Sequence, residues 1–382
     1  MNSIISSLIE ILSQKLFPEE HFITLLCRKI AAGRTILLKK VIPKKQGSWV
    51  TLLHLIRQNG LQAIIDVSKN VYTSLPEAVR HRLIADRLYT FHHAETQNKK
   101  FLIIMRNLHR AGVRLLIMKT LPVAKRLFGT DAHKISGDLD ILLSVSEVQR
   151  AATVLIKLGY RCYWNHEQTH ENTYIAQDFY VPRCEHIFKK GDTTVELHTA
   201  IVNTSSFTSR ILSDYNNRLL TQELYNQKLR RLYHGVSIYI FSPTALFISL
   251  LIHLLYQHNF QSVVRYYELF RVVRSYKKSI RWNEVLRLIQ THHLTPYFYW
   301  FVCLFNDLFP DSLPKDIVQS AQKNKTSFRL TQLVLYSIIK HRLFHPSDLP
   351  FGDNEKRACW AIINKQFFSS VLSFLQRRLF RL

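Results

Sequence analysis

The pattern of apolar and polar positions changes character twice along the chain. Residues 1–45 read as one or two helices ending in a basic stretch, Lys39, Lys40, Lys44 and Lys45. A second helical block begins near Ser48-Trp49 and runs to about Gly112, and in it Leu52, Leu53, Leu55 and Ile56 followed by Gly60 predict an amphipathic helix closed by glycine. From Gly112 onward short apolar runs take over. Val113–Met118 predicts a buried strand, Leu121–Phe128 a helix admitted by Pro122 near its first turn, and Asp138–Leu143 a second strand. Ser146 with Gln149 three residues on predicts the capping box of a helix that Gly159 closes, and Tyr160–Trp164 a third strand. Ile187–Lys189 and Thr193–His198 predict a hairpin around Gly191-Asp192. After about Ser205 the spacing reads as helical again. The expected fold class is α+β, with an N-terminal helical region over 1–111, a small mixed sheet over 112–205 and a C-terminal helical domain over 206–382.

Composition narrows this picture. Of 382 residues 47% are hydrophobic, enough to bury a sizeable core, and only 10 are Gly and 11 Pro, which excludes a disordered or fibrous chain. The most membrane-like stretch is Ile238–Tyr256, but Ser242-Pro243-Thr244 opens a helix inside it. The apolar run left over is about a dozen residues, short of the ~20 a span needs, so a buried core helix is expected there. The N-terminus has no basic leader and Glu10 interrupts its apolar stretch, so no signal peptide is expected. Cys27, Cys162, Cys184, Cys303 and Cys359 are scattered and form no C-x-x-C pair, which argues against a disulfide framework and a zinc cluster. These features fit a cytoplasmic protein.

The formal charge is +25, from 52 Lys and Arg against 27 Asp and Glu. The excess lies in the flanks: residues 1–100 carry +8 and 271–382 carry +11, against +3 for 101–203 and +3 for 204–270. An anionic partner accounts for this, whether nucleic acid, a membrane face or a phosphorylated acceptor; a generally basic, solvated surface accounts for it equally. Arg265-Tyr266-Tyr267 with Arg271 and Arg274 interleaves aromatic and basic residues as nucleic-acid contacts do. The C-terminal stretch from Phe367-Phe368 to Leu382, with Arg377, Arg378 and Arg381, suits a helix docked on the helical domain, or one lying on the inner membrane face.

The chemistry centres on Ser136-Gly137-Asp138-Leu139-Asp140-Ile141-Leu142-Leu143. On a strand Asp138 and Asp140 project from one face while Leu139, Ile141 and Leu143 enter the core. Two carboxylates side by side are electrostatically costly unless a cation lies between them, and magnesium accepts such hard oxygen ligands together with substrate phosphates. In Thr194-Val195-Glu196-Leu197-His198 alternation puts Thr194, Glu196 and His198 on one face, so Glu196 is the candidate third carboxylate and His198 could orient it or contact a phosphate. His253 and His258 lie five apart, a spacing that does not put both on one α-helical face as i, i+4 zinc ligands would be, so they are expected to serve helix packing or to line the cleft. Arg265 and Glu268 have the i, i+3 spacing of an ordinary helix contact.

Lys119 before a helix, G-D-L-D-I-L-L at 137–143, L-G-Y at 158–160 and V-E-L-H at 195–198 together resemble the family of uncharacterised nucleotidyltransferases, within the polymerase-β-like superfamily. Trp49 and its helix, the long helix before Gly112, and His253, His258 and Glu268 downstream extend the resemblance to about residues 45–270. It implies transfer of a nucleotide from a nucleoside triphosphate such as ATP. Asp138, Asp140 and Glu196 would be the catalytic carboxylates holding two magnesium ions, with Lys119, Thr120, Ser136, Gly137 and His198 around the nucleotide. The superfamily usually has a small-residue turn at the helix start, and the closer family Leu-Lys-Gly; this chain has Met118-Lys119-Thr120. Lys119 can still neutralise a phosphate and the Thr120 N–H can cap a helix over an anion, although a β-branched residue restricts the turn. With the basic excess, this departure motivates a second reading: a catalytically retired module that binds nucleotide or nucleic acid.

Overall fold

The computed structural model describes residues 18–31, 46–62, 76–119, 121–128, 138–164, 167–168, 185–202, 214–258, 260–323 and 343–344. Among the described residues three helices come first, α1 (Pro18–Ala31), α2 (Gln46–Gln58) and the long α3 (Glu77–Arg110). The central segment follows as β1 (Leu116–Ile117), α4 (Leu121–Phe128), β2 (Asp138–Leu142), α5 (Val145–Lys157), β3 (Arg161–Trp164), β4 (Glu167–Gln168), β5 (Glu185–Lys190) and β6 (Thr193–His198). Then come α6 (Asp214–Tyr225), β7 (Lys228–Tyr233), β8 (Val236–Phe241), α7 (Pro243–Ile252), α8 (Val263–Tyr276), α9 (Trp282–Thr291), α10 (Thr295–Leu308) and α11 (Lys315–Lys323). This is the α+β architecture that the apolar pattern predicts.

The eight strands among the described residues form one mixed sheet in the order β4-β3-β5-β6-β2-β1-β8-β7. Strand alternation divides its core in two. Ile117, Leu139, Ile141, Val195, Leu197 and Ile238 point to the face covered by Phe101, Met105 and Leu108 of α3 and Ala151 and Leu155 of α5. Leu116, Met118, Leu142 and Phe241 point to the opposite face, into the larger core of α1, α2, α4 and α6 to α11. The side chains of Asp138, Asp140, Glu196 and His198 share this second face by the same alternation. The candidate site therefore lies between the sheet and the helical layer.

The sheet reaches beyond the expected boundary. The segment after Ser205 is not wholly helical, because β7 and β8 form an antiparallel hairpin and β8 also pairs in parallel with β1. Its turn is His234-Gly235 with φ of 46° and 79°, the two-residue turn with positive φ at both positions that matches strand twist. The capping residues of α5 also differ from the expectation. Ser144, not Ser146, is the N-cap: its N–H lies 3.4 Å and its hydroxyl 2.6 Å from Glu147 Oε2. Glu147 also accepts from the Arg114 backbone N–H at 3.0 Å, which ties α5 to the segment entering β1 and explains why it, rather than Gln149, fills the role.

The apolar run at Ile238–Tyr256 divides as Ser242 dictates. Its hydroxyl accepts from the Ala245 N–H at 3.3 Å, and every residue of α7 from Thr244 to Ile252 is buried. No helix among the described residues is long and apolar enough to cross a membrane.

Two links fix the helical layer over the site. Arg271 of α8 donates from Nε to the Leu127 carbonyl at 3.1 Å, holding the last turn of α4, the helix that follows Lys119. Asn59, fully buried after α2, donates to the Leu55 and Phe344 carbonyls at 3.0 and 2.8 Å and accepts from the Val263 N–H at 2.9 Å. Asn59→Ala leaves that N–H and the Phe344 carbonyl buried without this partner, and is expected to cost about 2 kcal/mol in denaturant unfolding. An unchanged midpoint would show that this link does not hold α8.

Candidate functional site

β2 and β6 run in parallel, with Asp138 opposite Thr194, Asp140 opposite Glu196 and Leu142 opposite His198. The two acids that the sequence places on separate strands are thus direct register partners. The backbone continues the alignment, the Met118 N–H donating to the Asp140 carbonyl at 3.1 Å and the Leu143 N–H to the His198 carbonyl at 2.8 Å. Lys119 follows β1 at the same level of the sheet.

Burial grades the acids. Asp140 is 1% exposed, the Glu196 side chain 19% and the Asp138 side chain 33%, so Asp138 forms the rim and Asp140 the floor. Lys119 Nζ lies 3.1 Å from Asp140 Oδ1 and 3.8 Å from Asp138 Oδ2. His198 Nε2 lies 3.2 Å from the same Asp140 oxygen and 3.4 Å from Glu196 Oε2. The region's near-neutral formal charge thus conceals two local cations set on the acids.

The titration shifts follow from this geometry. Burial pulls the Lys119 pKa down, but Asp140 and Asp138 outweigh it and the net shift is upward. Burial likewise disfavours the imidazolium of His198, yet its hydrogen bonds to Asp140 and Glu196 prevail and push it up to about 10. For Glu196 burial acts upward, and His198 more than reverses it, leaving a lowered value.

Asp140, Glu196 and His198 each present one donor atom within 4.8 Å of the others, the separation a single cation can bridge. Asp140 Oδ2 and His198 Nδ1 are buried without a hydrogen-bond partner among the described residues. An orphaned carboxylate oxygen inside a protein is costly unless something positive meets it, so the residues fit a bound divalent ion. Carboxylates suit magnesium, while an imidazole nitrogen widens the choice toward manganese. Asp138, expected beside Asp140 as a ligand, stands on the rim against Lys119, and its charge also acts on Glu196.

Thr120, Ser136 and Gly137, expected around the nucleotide, lie outside the described residues, as does the segment from Phe367 to Leu382. Arg265 and Glu268 make the expected helix contact, 3.4 Å from Nη1 to Oε2. His253 lines the cleft, but its pairing with His258 departs from the spacing: their Nε2 atoms are 2.9 Å apart, and His253 Nε2 is 3.4 Å from Lys119 Nζ. They meet because α7 ends in a π turn, His253–Gln257, a local geometry that α-helical spacing does not anticipate. A small, partly open cleft lies between sheet and helices, lined by Lys119, Asp140, His198, Ser249 and His253 among others.

No curated protein and no solved structure matches the chain. The sequence model of a family described as uncharacterised nucleotidyltransferase matches residues 45–310, from the start of the helical block before the sheet to just past the end of α10. With that match over more than half of its length, the chain belongs to the uncharacterised nucleotidyltransferase family.

Proposed function

We propose that the protein moves a nucleoside monophosphate from a nucleoside triphosphate to a hydroxyl or phosphate of an acceptor. The observation that carries this reading is the register pair Asp140–Glu196, with Asp138 on the rim and Lys119 between the acids and the cleft. Asp140 and Glu196, with His198, would hold divalent ions, magnesium above all, and Asp138 would complete the set from the rim. Such ions, when bound, neutralise the triphosphate and stabilise charge on the attacking and leaving oxygens. An acceptor oxygen attacks the α-phosphorus, the bond to the bridging oxygen breaks, and pyrophosphate leaves with the electron pair. Lys119 supplies a fixed positive charge toward the phosphates, and Thr120, Ser136 and Gly137 would shape the turn around them. The rest of the rate comes from positioning and from charges that need no reorganisation. The helical part after residue 205 would form the acceptor side, and the basic flanks suit an anionic acceptor.

One observation favours a second reading, a retired module that binds nucleotide or nucleic acid without turnover. Lys119 and His198 already compensate Asp140, so the acids have positive partners in the protein itself. Incubation with each α-labelled ribonucleoside triphosphate, magnesium and host lysate separates the two. The expected result is magnesium-dependent label on an acceptor and released pyrophosphate, both absent from Asp138→Asn/Asp140→Asn. Triphosphate binding with no pyrophosphate above the mutant's background would establish the retired module.

A further inference from the structure

In a regular α-helix residues five apart do not share a face, and two histidines so spaced would point apart. The π turn that ends α7 removes this restriction. The His258 N–H donates to the His253 carbonyl at 3.2 Å, and the two rings meet edge to face, with centroids 4.5 Å apart and planes at 82°. A π turn is rare and is found frequently at functional sites. What it achieves here is a contact with Lys119.

The chemistry of that contact is directional. Lys119 carries an ammonium with no lone pair, so in its 3.4 Å contact the lysine donates and His253 Nε2 accepts. A nitrogen that accepts carries no proton. Accepting from Lys119 fixes His253 as the tautomer protonated on Nδ1, and the single lone pair on its Nε2 is shared in a three-centre contact between the Lys119 ammonium and His258 Nε2, 2.9 Å away. The chain of donors runs from His258 to His253 and converges there with Lys119, whose other contacts are Asp140 at 3.1 Å and Asp138 at 3.8 Å.

We propose that His253, held by His258, is a positioning residue that keeps the Lys119 ammonium aimed into the cleft as the binding group for the pyrophosphate half of the triphosphate. This rests on the nucleotidyl-transfer reading and names how that site holds its leaving group. Without an acceptor on the helical side, Lys119 would be drawn wholly onto the two aspartates. A carboxylate acceptor would hold it equally well but would add a third acid where phosphates must enter. A neutral imidazole nitrogen holds the ammonium without that repulsion. Lys119 and His253 both line the cleft with Asp140 and His198, so the aimed ammonium and the acids face the same space.

The test uses the full chain and inorganic pyrophosphate as probe, by titration calorimetry in the presence of manganese, with manganese binding alone followed by electron paramagnetic resonance. His253→Ala is expected to weaken pyrophosphate about tenfold or more, the worth of one hydrogen bond to a charged group, with manganese affinity unchanged. His253→Gln, whose amide oxygen can accept from Lys119, is expected to recover most of the loss, and His258→Ala to give a smaller one. Under turnover the alanine variant should raise KM for the triphosphate more than it lowers kcat. Pyrophosphate affinity unchanged in His253→Ala overturns the inference, as does an equal loss in the alanine and glutamine variants with a matching fall in thermal midpoint. If the unaltered protein neither binds pyrophosphate nor releases it from any triphosphate, the nucleotidyl-transfer reading falls and this inference with it. Turnover by the unaltered protein with unaffected variants removes the inference alone.

Discussion

Asp140→Asn is expected to lower nucleotidyl transfer by at least about 10³-fold while leaving the protein folded. Asp140 is the most buried acid of the site, the register partner of Glu196, and the residue on which Lys119 and His198 converge. Asparagine keeps its shape, so packing against the sheet survives. What changes is charge: an amide supplies one neutral oxygen where a carboxylate supplied two charged ones, and the NH₂ group faces Lys119 or His198 as a second donor. A thousandfold loss corresponds to about 4 kcal/mol of transition-state stabilisation, within the several kcal/mol that charge neutralisation by a held divalent ion supplies. Asp138→Asn should cost less, because Asp138 stands on the rim with its side chain a third exposed and 3.8 Å from Lys119. Pyrophosphate release measured for both variants, with a thermal melt for each, checks the ordering. An Asp140→Asn protein that keeps a tenth of the activity would remove Asp140 from the chemistry.

What could be read from the chain followed from local periodicity. Alternation in D-L-D-I-L and V-E-L-H places Asp138, Asp140, Glu196 and His198 on one sheet face, and the structure has them there. Pairing was not readable: nothing local says that β2 lies beside β6 in parallel, nor that Asp140 rather than Asp138 faces Glu196. Which acid is buried depends on that register. The β7–β8 hairpin is not legible in this way because Val236–Phe241, which ends at Ser242-Pro243-Thr244, is a short apolar run, and such a run does not distinguish strand from helix. His234-Gly235 was the available signal. The His253–His258 pair was hidden for a different reason, since a π turn changes the residue count per turn and so defeats a rule built on i, i+4 spacing. Ser144 displaced Ser146 as the cap because Glu147 is held by Arg114, a partner from outside the helix.

The metal-free protein is expected to be most stable near pH 6.5, with an alkaline limb set by His198. Its pKa rises from 6.5 to about 10 on folding, because the bonds to Asp140 and Glu196 favour the imidazolium more than burial opposes it. A raised value means that the folded protein binds the proton more tightly. The stabilisation is therefore complete below pH 6.5 and is lost as pH climbs toward 10, by an amount on the order of a few kcal/mol. Lys119, also raised from 10.5, extends the loss only above that pH. The acid limb comes from other groups. His292 is lowered by burial, which its bond to Glu223 does not fully offset, so protonation below pH 6.5 works against the fold. Glu196, lowered by His198 against the effect of burial, adds its loss as pH falls below 4.5. Thermal midpoints of chelator-treated protein from pH 4 to 10 should trace both limbs. In His198→Gln the alkaline limb between pH 6.5 and 9 should flatten while the acid limb from His292 persists. A limb of undiminished slope in that variant would mean that the His198 proton does not hold the acids together when no metal does.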